Sequence, residues 1–423
     1  MNNNKLITFL NQVHQKQIMT SFFIETYGSS DNVSDAEQMA GLLAEAKFIP
    51  AVSVEEADIV ILNPLCVPFY MQGGFHTRLE QIKKDHPHKM LIIAGCIPDK
   101  VKKISVVESR QFHHIVEAVE ETLNSSVVKM PNEKELPPLD LPKLRKNSII
   151  EVIPITRGCG TSCAWCKTTL KSYPIPEIVT VAQQAISEGV REIWLSSEDA
   201  FGYGGDIETS LPLLLQELLQ LPGKYKVRLS RGNPVSLTKI QDQLFPLFLH
   251  DKMFSYLHLG LGSGSAQLLS TFFPGITPQE YLGSIEKFKE NALHGTLAVD
   301  LVLGIPTETE EQHWETITLL RSINPDLLYL APHPKAVAED PKFTHRSKII
   351  IDVFSNIAKM RHERWLDWEG PVIIDEKTAD QWIGHNFAYT PILVQGEFKL
   401  GDIVKVRVTK VTSTELQGLV VSS

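Results

Sequence analysis

The chain has 423 residues, 43% hydrophobic and 22% charged, with a formal net charge of −9. That is length for about three domains of ~150 residues and an ordinary globular composition. No run of eighteen apolar residues occurs, so no membrane-spanning helix and no membrane partner are expected. The opening Met1-Asn2-Asn3-Asn4-Lys5 leads into a mixed segment without a small-residue cleavage site, which argues against secretion. Five unevenly spaced cysteines suit metal chemistry in a reducing compartment better than a disulfide framework, and a cytoplasmic location follows as the expectation. The acidic balance gives no global nucleic-acid signal. It is unevenly shared, however: Pro341 to Ser423 carry 11 Lys+Arg against 10 Asp+Glu, so any nucleic-acid contact must rest on local patches.

Residues 1–130 alternate strand and helix patterns. Phe22–Thr26, Ala57–Leu62 and Met90–Ala94 read as strands, with helices over Val33–Ala46 and Thr77–Asp85. Short continuous apolar runs between helices indicate a buried parallel sheet, hence a small doubly wound α/β domain. Ligands of such sheets sit at the strands' carboxyl ends. Those ends read Tyr27-Gly28-Ser29, Pro64-Leu65-Cys66 and Ala94-Gly95-Cys96, which delivers two cysteines and a serine to one edge. Residues 131–146 are charged and proline-rich and read as an extended linker. Lys143, Arg145 and Lys146 at its end form either a solvated face or a basic patch.

From 147 to 365 the pattern becomes strand–helix units at wide spacing. The strands expected are Ile149–Ile155, Glu192–Ser196, Lys226–Ser230, Tyr256–Leu261, Thr296–Gly304 and Leu327–Ala331. Six such units make a partial (β/α)6 barrel, an open relative of the complete eight-fold barrel, with its chemistry at the carboxyl ends of the strands. Directly after the first strand comes Arg157-Gly158-Cys159-Gly160-Thr161-Ser162-Cys163-Ala164-Trp165-Cys166, a CxxxCxxC spacing. Gly158 and Gly160 let the backbone curl so that three thiolates converge. Three are one short of the four that close a structural zinc site or an ordinary iron–sulfur cluster. Buried thiols, or a zinc knuckle completed from elsewhere, are the alternatives.

Residues 366–423 change character to short, close-spaced strands, as in a small antiparallel β-barrel. Lys405, Arg407 and Lys410 fall near one face of a strand, and Asn386, Phe387 and Tyr389 form a polar and aromatic turn before it. A basic strand beside aromatics is how small barrels hold single-stranded nucleic acid. An exposed edge strand protected by lysine has the same pattern.

Taken together, these features resemble the methylthiotransferase family of radical S-adenosylmethionine enzymes. The branch resembled is the archaeal and eukaryotic one that acts on threonylcarbamoyladenosine in transfer RNA. Glu25-Thr26-Tyr27-Gly28-Ser29 with Asn32 and Asp35 resembles the family's opening ETYGC-N-D motif. Ile153–Cys159 with Cys166-Lys167-Thr168 resembles its cluster loop. Trp194–Asp199 with Tyr203-Gly204 is similar to its WLTSED-YG element, and Val299–Thr309 to its DIIVGFPGET segment. Gly384-His385-Asn386 and Tyr389 resemble the TRAM domain that grips transfer RNA.

The resemblance implies a [4Fe–4S] cluster on Cys159, Cys163 and Cys166, with S-adenosylmethionine on its open iron. Trp165 would lie near the adenine, and Ser197, Glu198, Asp199 and Asp300 are cofactor-binding candidates. Asn386, Tyr389, Lys405 and Arg407 are candidates for nucleic-acid binding. It further implies addition of a methylthio group to C2 of N6-threonylcarbamoyladenosine 37 in the anticodon loop, with a one-electron donor such as flavodoxin or ferredoxin. The family's second cluster sits on three cysteines of the first domain. Cys66 and Cys96 match two of them, and the third position is Ser29, a hard and weakly acidic ligand. Two further departures are Gly260–Ser265 in place of P-V-Q-S-G-S, and Phe272–Thr277 where the family has an arginine. No D-x-H-x-x-G motif points to cobalamin. The rival expectations are a divergent radical enzyme without sulfur transfer and a non-catalytic tRNA-binding remnant.

Overall fold

The computed structural model describes residues 20–64, 72–95, 103–131, 135–158, 169–333, 336, 340–378 and 381–421. It divides into two compact units, Met1–Lys146 and Asn147–Ser423.

The first unit contains β1 (Ser21–Thr26), α1 (Ser30–Glu45), β2 (Ile49–Pro50), β3 (Ile59–Asn63), α2 (Gln72–Asp85), β4 (Met90–Gly95), β5 (Ser105–Glu108), α3 (Ile115–Leu123) and β6 (Lys129–Met130). The six strands form one parallel sheet in the order β2-β1-β3-β4-β5-β6. Every residue of the central strand β3 is buried, as its unbroken Ile-Val-Ile-Leu run requires of a strand covered on both faces. Met39 and Leu43 of α1 pack with Ile115 and Ala118 of α3 in one core, and Phe75, Leu79 and Ile82 of α2 in another. The sheet is thus doubly wound, and β2, β5, β6 and α3 extend the three strands and two helices expected.

The linker differs from an extended tether. Leu139 is buried, its carbonyl accepts from Gln38 Nε2 at 3.2 Å, and the Leu144 N–H donates to the Glu37 carbonyl. Glu37 Oε1 also accepts from the Lys146 N–H at 2.9 Å. A Cβ on Gly41 of α1 would stand 2.2 Å from the Pro142 carbonyl oxygen. The backbone of the proline-rich stretch cannot pair with itself, and α1 satisfies it.

The second unit begins with β7 (Ile150–Pro154), β8 (Thr156–Arg157) and β9 (Lys171–Ser172). It continues through α4 (Ile175–Ser187), β10 (Glu192–Ser196), α5 (Leu211–Gln220), β11 (Lys226–Leu229), α6 (Pro234–Leu244), β12 (Tyr256–Gly262), α7 (Ala266–Phe272), α8 (Pro278–Asn291), β13 (Thr296–Leu303), α9 (Glu310–Ile323), β14 (Leu327–Pro332) and α10 (Pro341–Glu363). Two parallel three-stranded sheets, β11-β10-β7 and β12-β13-β14, are joined by the parallel bridges Val227 with Met253 and Gly232 with Leu259. This is the partial barrel. Side-by-side residues share a face: Val152, Trp194 and Arg228 in one row, then Gly260, Asp300 and Tyr329 in another. The alternate positions Ile193, Leu195, Val227, Leu257, Leu259, Val299 and Leu301 are buried and apolar. Capping boxes start α8 (Thr277 with Glu280) and α9 (Thr309 with Gln312).

The chain ends in a closed barrel of β15 (Glu369–Lys377), β16 (Trp382–His385), β17 (Pro391–Val394), β18 (Ile403–Val411) and β19 (Leu416–Val420). Its core holds Val372, Ile374, Trp382, Ile392, Val394, Val406, Val408 and Leu416. Four of its pairings are antiparallel, as expected, and β17 pairs with β19 in parallel. Among the described residues no helix is long and apolar enough to cross a membrane.

Candidate active site at the carboxyl ends of the barrel strands

Cys159, Cys163, Trp165 and Cys166 lie outside the described residues, as do Cys66 and Cys96, but both ends of the cysteine loop are described. Thr156 and Arg157 pair antiparallel with Ser172 and Lys171, so the segment between them leaves and returns at one point. The returning leg is held firmly. Asp206 Oδ2 accepts from the Ser172 N–H at 2.9 Å, Ser172 Oγ accepts from the Gly204 N–H at 2.9 Å, and the Tyr203 hydroxyl donates to the Tyr173 carbonyl at 2.8 Å. Gly204 adopts φ +85° and a Cβ there would stand 2.5 Å from Thr209 backbone atoms, so glycine is required. The Tyr203-Gly204 pair therefore clamps the segment Ser172-Tyr173 that follows the cysteines.

The outgoing leg is tied to β10. The hydroxyls of Thr156 and Ser197 are 2.5 Å apart, Ser197 Oγ accepts from the Asp199 N–H at 3.0 Å, and Ser230 Oγ accepts from the Ser197 N–H at 2.9 Å. Asp199 is fully buried; its carboxylate accepts from the Asn233 N–H at 2.9 Å and the Ser236 hydroxyl at 2.7 Å. Both had been expected at the cofactor. In the structure their polar atoms join β8, β10, β11 and α6, which is how buried polar groups are normally satisfied.

Glu198 stands apart from them. Its Oε2 accepts from Arg231 Nη2 at 2.8 Å, and Arg231 Nη1 lies 3.5 Å from Asp300 Oδ2. Asp300 Oδ1 is 2.8 Å from His258 Nε2, and the imidazole stacks on the half-exposed ring of Tyr329, centroids 4.9 Å apart at 29°. Glu198, Arg231, His258, Asp300 and Tyr329 thus form a continuous row across β10, β11, β12, β13 and β14. Burial raises the Asp300 carboxyl, but His258 and Arg231 outweigh it and hold the group below its ordinary value. Arg231 and His258 were not among the expected site residues. Arg231 follows its strand by two positions, where the carboxyl-end rule would have found it; His258 is mid-strand and pairs in register with Ala298, so only the side-chain contact reveals that it meets Asp300.

Among the described residues no group of three His, Cys, Asp or Glu is arranged to hold a metal ion. The donors suited to iron are the cysteines of the clamped loop, three soft thiolates from one short segment. A carboxylate, a guanidinium and an imidazole beside that loop's exit offer acceptors and donors for an amino-acid head group. The residues present fit a cluster with an open position and an amino-acid-bearing ligand. The first unit does not offer the corresponding set. Ser29 is the N-cap of α1, its hydroxyl 3.4 Å from Asn32 Oδ1, and Asn32 Nδ2 reaches Asn63 Oδ1 at 3.0 Å and the Pro64 carbonyl at 3.1 Å. The ends of β1 and β3 do come together at one edge, but with a hydroxyl where a thiolate would be needed.

The nucleic-acid candidates divide. Lys405 and Arg407 are exposed on β18 and both pair with Glu369. Asn386 is buried, its Oδ1 accepting from the Ala388 and Thr390 N–H groups at 2.9 and 3.1 Å. Half-buried Tyr389 packs on the partial barrel, its ring 6.1 Å from Trp194 and 5.4 Å from Tyr256. Asn386 shapes the turn, and Tyr389 at φ 56° projects from it.

A doubly wound front, a partial barrel with a clamped cysteine loop and a small closed barrel define a radical S-adenosylmethionine protein of multidomain type. Family models agree: the uncharacterized protein family UPF0004 over residues 21–117, the radical SAM superfamily over 153–320 and the TRAM domain over 370–421. The cobalamin-dependent S-adenosylmethionine radical enzyme OxsB with aqua-cobalamin bound shares the fold, with a TM-score of 0.50 at 11% identity over 82% of this chain and 57% of that one. Threonylcarbamoyladenosine tRNA methylthiotransferase of Drosophila melanogaster is 32% identical, covering 94% of this chain and 77% of its own. The human protein of that name is 31% identical over 88% and 69%. A probable one from Methanothermobacter thermautotrophicus is 28% identical over 93% and 98%. The chain belongs to the threonylcarbamoyladenosine tRNA methylthiotransferase family.

Proposed function

We propose that this protein is a radical S-adenosylmethionine transferase that adds a methylthio group to C2 of N6-threonylcarbamoyladenosine 37 in the anticodon loop of a transfer RNA. The observation that carries the proposal is the Glu198–Arg231–Asp300–His258 row beside the tied exit of the cysteine loop. Cys159, Cys163 and Cys166 would hold the [4Fe–4S] cluster, and Glu198, Asp300 and Trp165 would meet S-adenosylmethionine. When bound, that pair supplies reductive cleavage of a sulfonium carbon–sulfur bond and thereby hydrogen abstraction from carbon. Arg231, shared by two carboxylates, would donate to a ligand carboxylate, and Glu198 would accept from an ammonium or ribose hydroxyl. Lys405 and Arg407 offer charge to the RNA backbone, and a flavodoxin- or ferredoxin-type donor would supply the electron.

Position 29 is serine, so Cys66 and Cys96 alone do not complete a second cluster; the sulfur of the methylthio group would have to come from a sulfide-bearing cluster completed by another ligand, and no step is assigned to it. Mass spectrometry of transfer-RNA nucleosides from cells with and without the gene tests the proposal. Loss of the 2-methylthio nucleoside on deletion supports it, and an unchanged profile overturns it.

A further inference from the structure

The turn between β16 and β17 meets the amino-terminal end of the partial barrel. The Ser255 N–H, just before β12, donates to the Phe387 carbonyl at 2.9 Å. The hydroxyls of Thr296, first residue of β13, and Thr390 are 3.0 Å apart. Between them the Tyr389 ring meets Phe254 at 4.9 Å, Tyr256 at 5.4 Å and Trp194 at 6.1 Å, all edge-on. The Arg228 guanidinium lies 4.5 Å from the centroids of both Tyr389 and Trp194 and 5.0 Å from that of Tyr256. Arg228 Nε is buried and makes no hydrogen bond among the described residues; the three rings surround the guanidinium, and the buried Glu192 carboxylate also acts on its charge. On the other side Tyr389 stacks on His385, centroids 4.1 Å apart at 10°, and His385 hydrogen-bonds Asp375 of β15.

The residues that grip Tyr389 lie on the strands that deliver the site. Trp194 precedes Glu198 by four residues, Arg228 precedes Arg231 by three, and Tyr256 precedes His258 by two. At ~3.3 Å per residue the ring stands about 7–13 Å below the site. We propose that Tyr389 is a positioning residue for the barrel. Through Arg228, Trp194 and Tyr256 it sets the relative placement of β10, β11 and β12, so that cofactor binding by the partial barrel depends on the small barrel even when no RNA is present. The inference rests on the reading of the barrel as a S-adenosylmethionine site, but its mechanical part does not.

The test uses full-length, iron-reconstituted protein without RNA, comparing wild type, Tyr389→Phe, Tyr389→Leu and Tyr389→Ser. Equilibrium dialysis measures S-adenosylmethionine binding, and hydrogen exchange follows peptides over β10, β11 and β12. For Tyr389→Ser, binding is expected to weaken about tenfold and the three strands to exchange about tenfold faster, at unchanged iron content. Tyr389→Phe keeps the ring and should restore both. Tyr389→Leu fills the space without holding the guanidinium; it should fold, bind poorly and exchange faster, so misfolding of the serine variant leaves the question decidable. Wild-type exchange and binding in both non-aromatic variants, with loss only of RNA affinity, would overturn the proposal. If wild type binds no S-adenosylmethionine, the functional reading fails, and the exchange rates alone decide whether Tyr389 holds the strands.

Discussion

Nε2 of His258 lies 2.8 Å from Oδ1 of Asp300, while Oδ2 of the same carboxylate faces Arg231 at 3.5 Å. One aspartate on β13 therefore orients an imidazole on β12 and a guanidinium just beyond β11. Asp300→Asn keeps the shape and removes the charge; S-adenosylmethionine affinity should fall by about tenfold or more, measured by dialysis. Because the folded carboxyl is held below its ordinary value, its stabilisation is present above the unfolded pKa and lost as pH falls through the folded one. Acid titration of stability should show that limb in wild type and not in Asp300→Asn.

Glu192 offers the opposite sign. It is fully buried at the start of β10, one oxygen accepting from Trp194 Nε1 at 2.8 Å and the other without a hydrogen-bond partner among the described residues. Burial first, then the charge of Asp375, push its pKa up to about 7. A raised folded pKa gives stabilisation that is complete below the unfolded value and is lost as pH rises through the folded one. Denaturation at stepped pH should therefore show wild type losing roughly 2–3 kcal/mol between about pH 4.5 and pH 7 relative to Glu192→Gln, which keeps the Trp194 bond and titrates nothing.

On the outer face of β18, Lys405 and Arg407 share one carboxylate, Glu369. Such exposed pairs add little to stability and leave the cations available to phosphate. Lys405→Ala with Arg407→Ala should weaken transfer-RNA binding and flatten its salt dependence by about two ionic contacts. Glu369→Gln, which releases both cations, should strengthen binding severalfold. Filter binding across a salt series reads both, and unchanged slopes would exclude this face.

Iron content separates one cluster from two. Anaerobically reconstituted wild type should hold about four irons per chain and Ser29→Cys about eight, since each [4Fe–4S] cluster carries four. A value near eight in wild type would mean that a ligand other than Ser29 completes a second cluster.

Much of the fold was legible because the periodicity of the strands is plain. The buried β3 run and the six barrel strands each carry a local signature. The short β2, β5 and β6 carry none, since two to four residues cannot show a period. At the site, Glu198 and Asp300 lie in the row with Arg231 and His258, while Ser197 and Asp199 of the same motif bond to neighbouring elements. Whether a polar side chain beside a strand end faces a ligand or a neighbouring turn depends on partners such as Asn233 and Ser236, distant in sequence. The packing of Tyr389 was not legible for a related reason: an aromatic in a turn reads as exposed until the surface it meets is known.

The path of residues 135–146 along α1 bears on how the protein can be divided. Severing the chain after Met130, where the last strand of the sheet ends, would strip Gln38 of its acceptor on Leu139 and Glu37 of its donors at Leu144 and Lys146. It would also uncover Gly41, whose lack of a side chain makes room for Pro142. A stand-alone front fragment should therefore run through Lys146, and one shortened by those residues should be the less soluble of the two, with a helix flank built to be covered left wet.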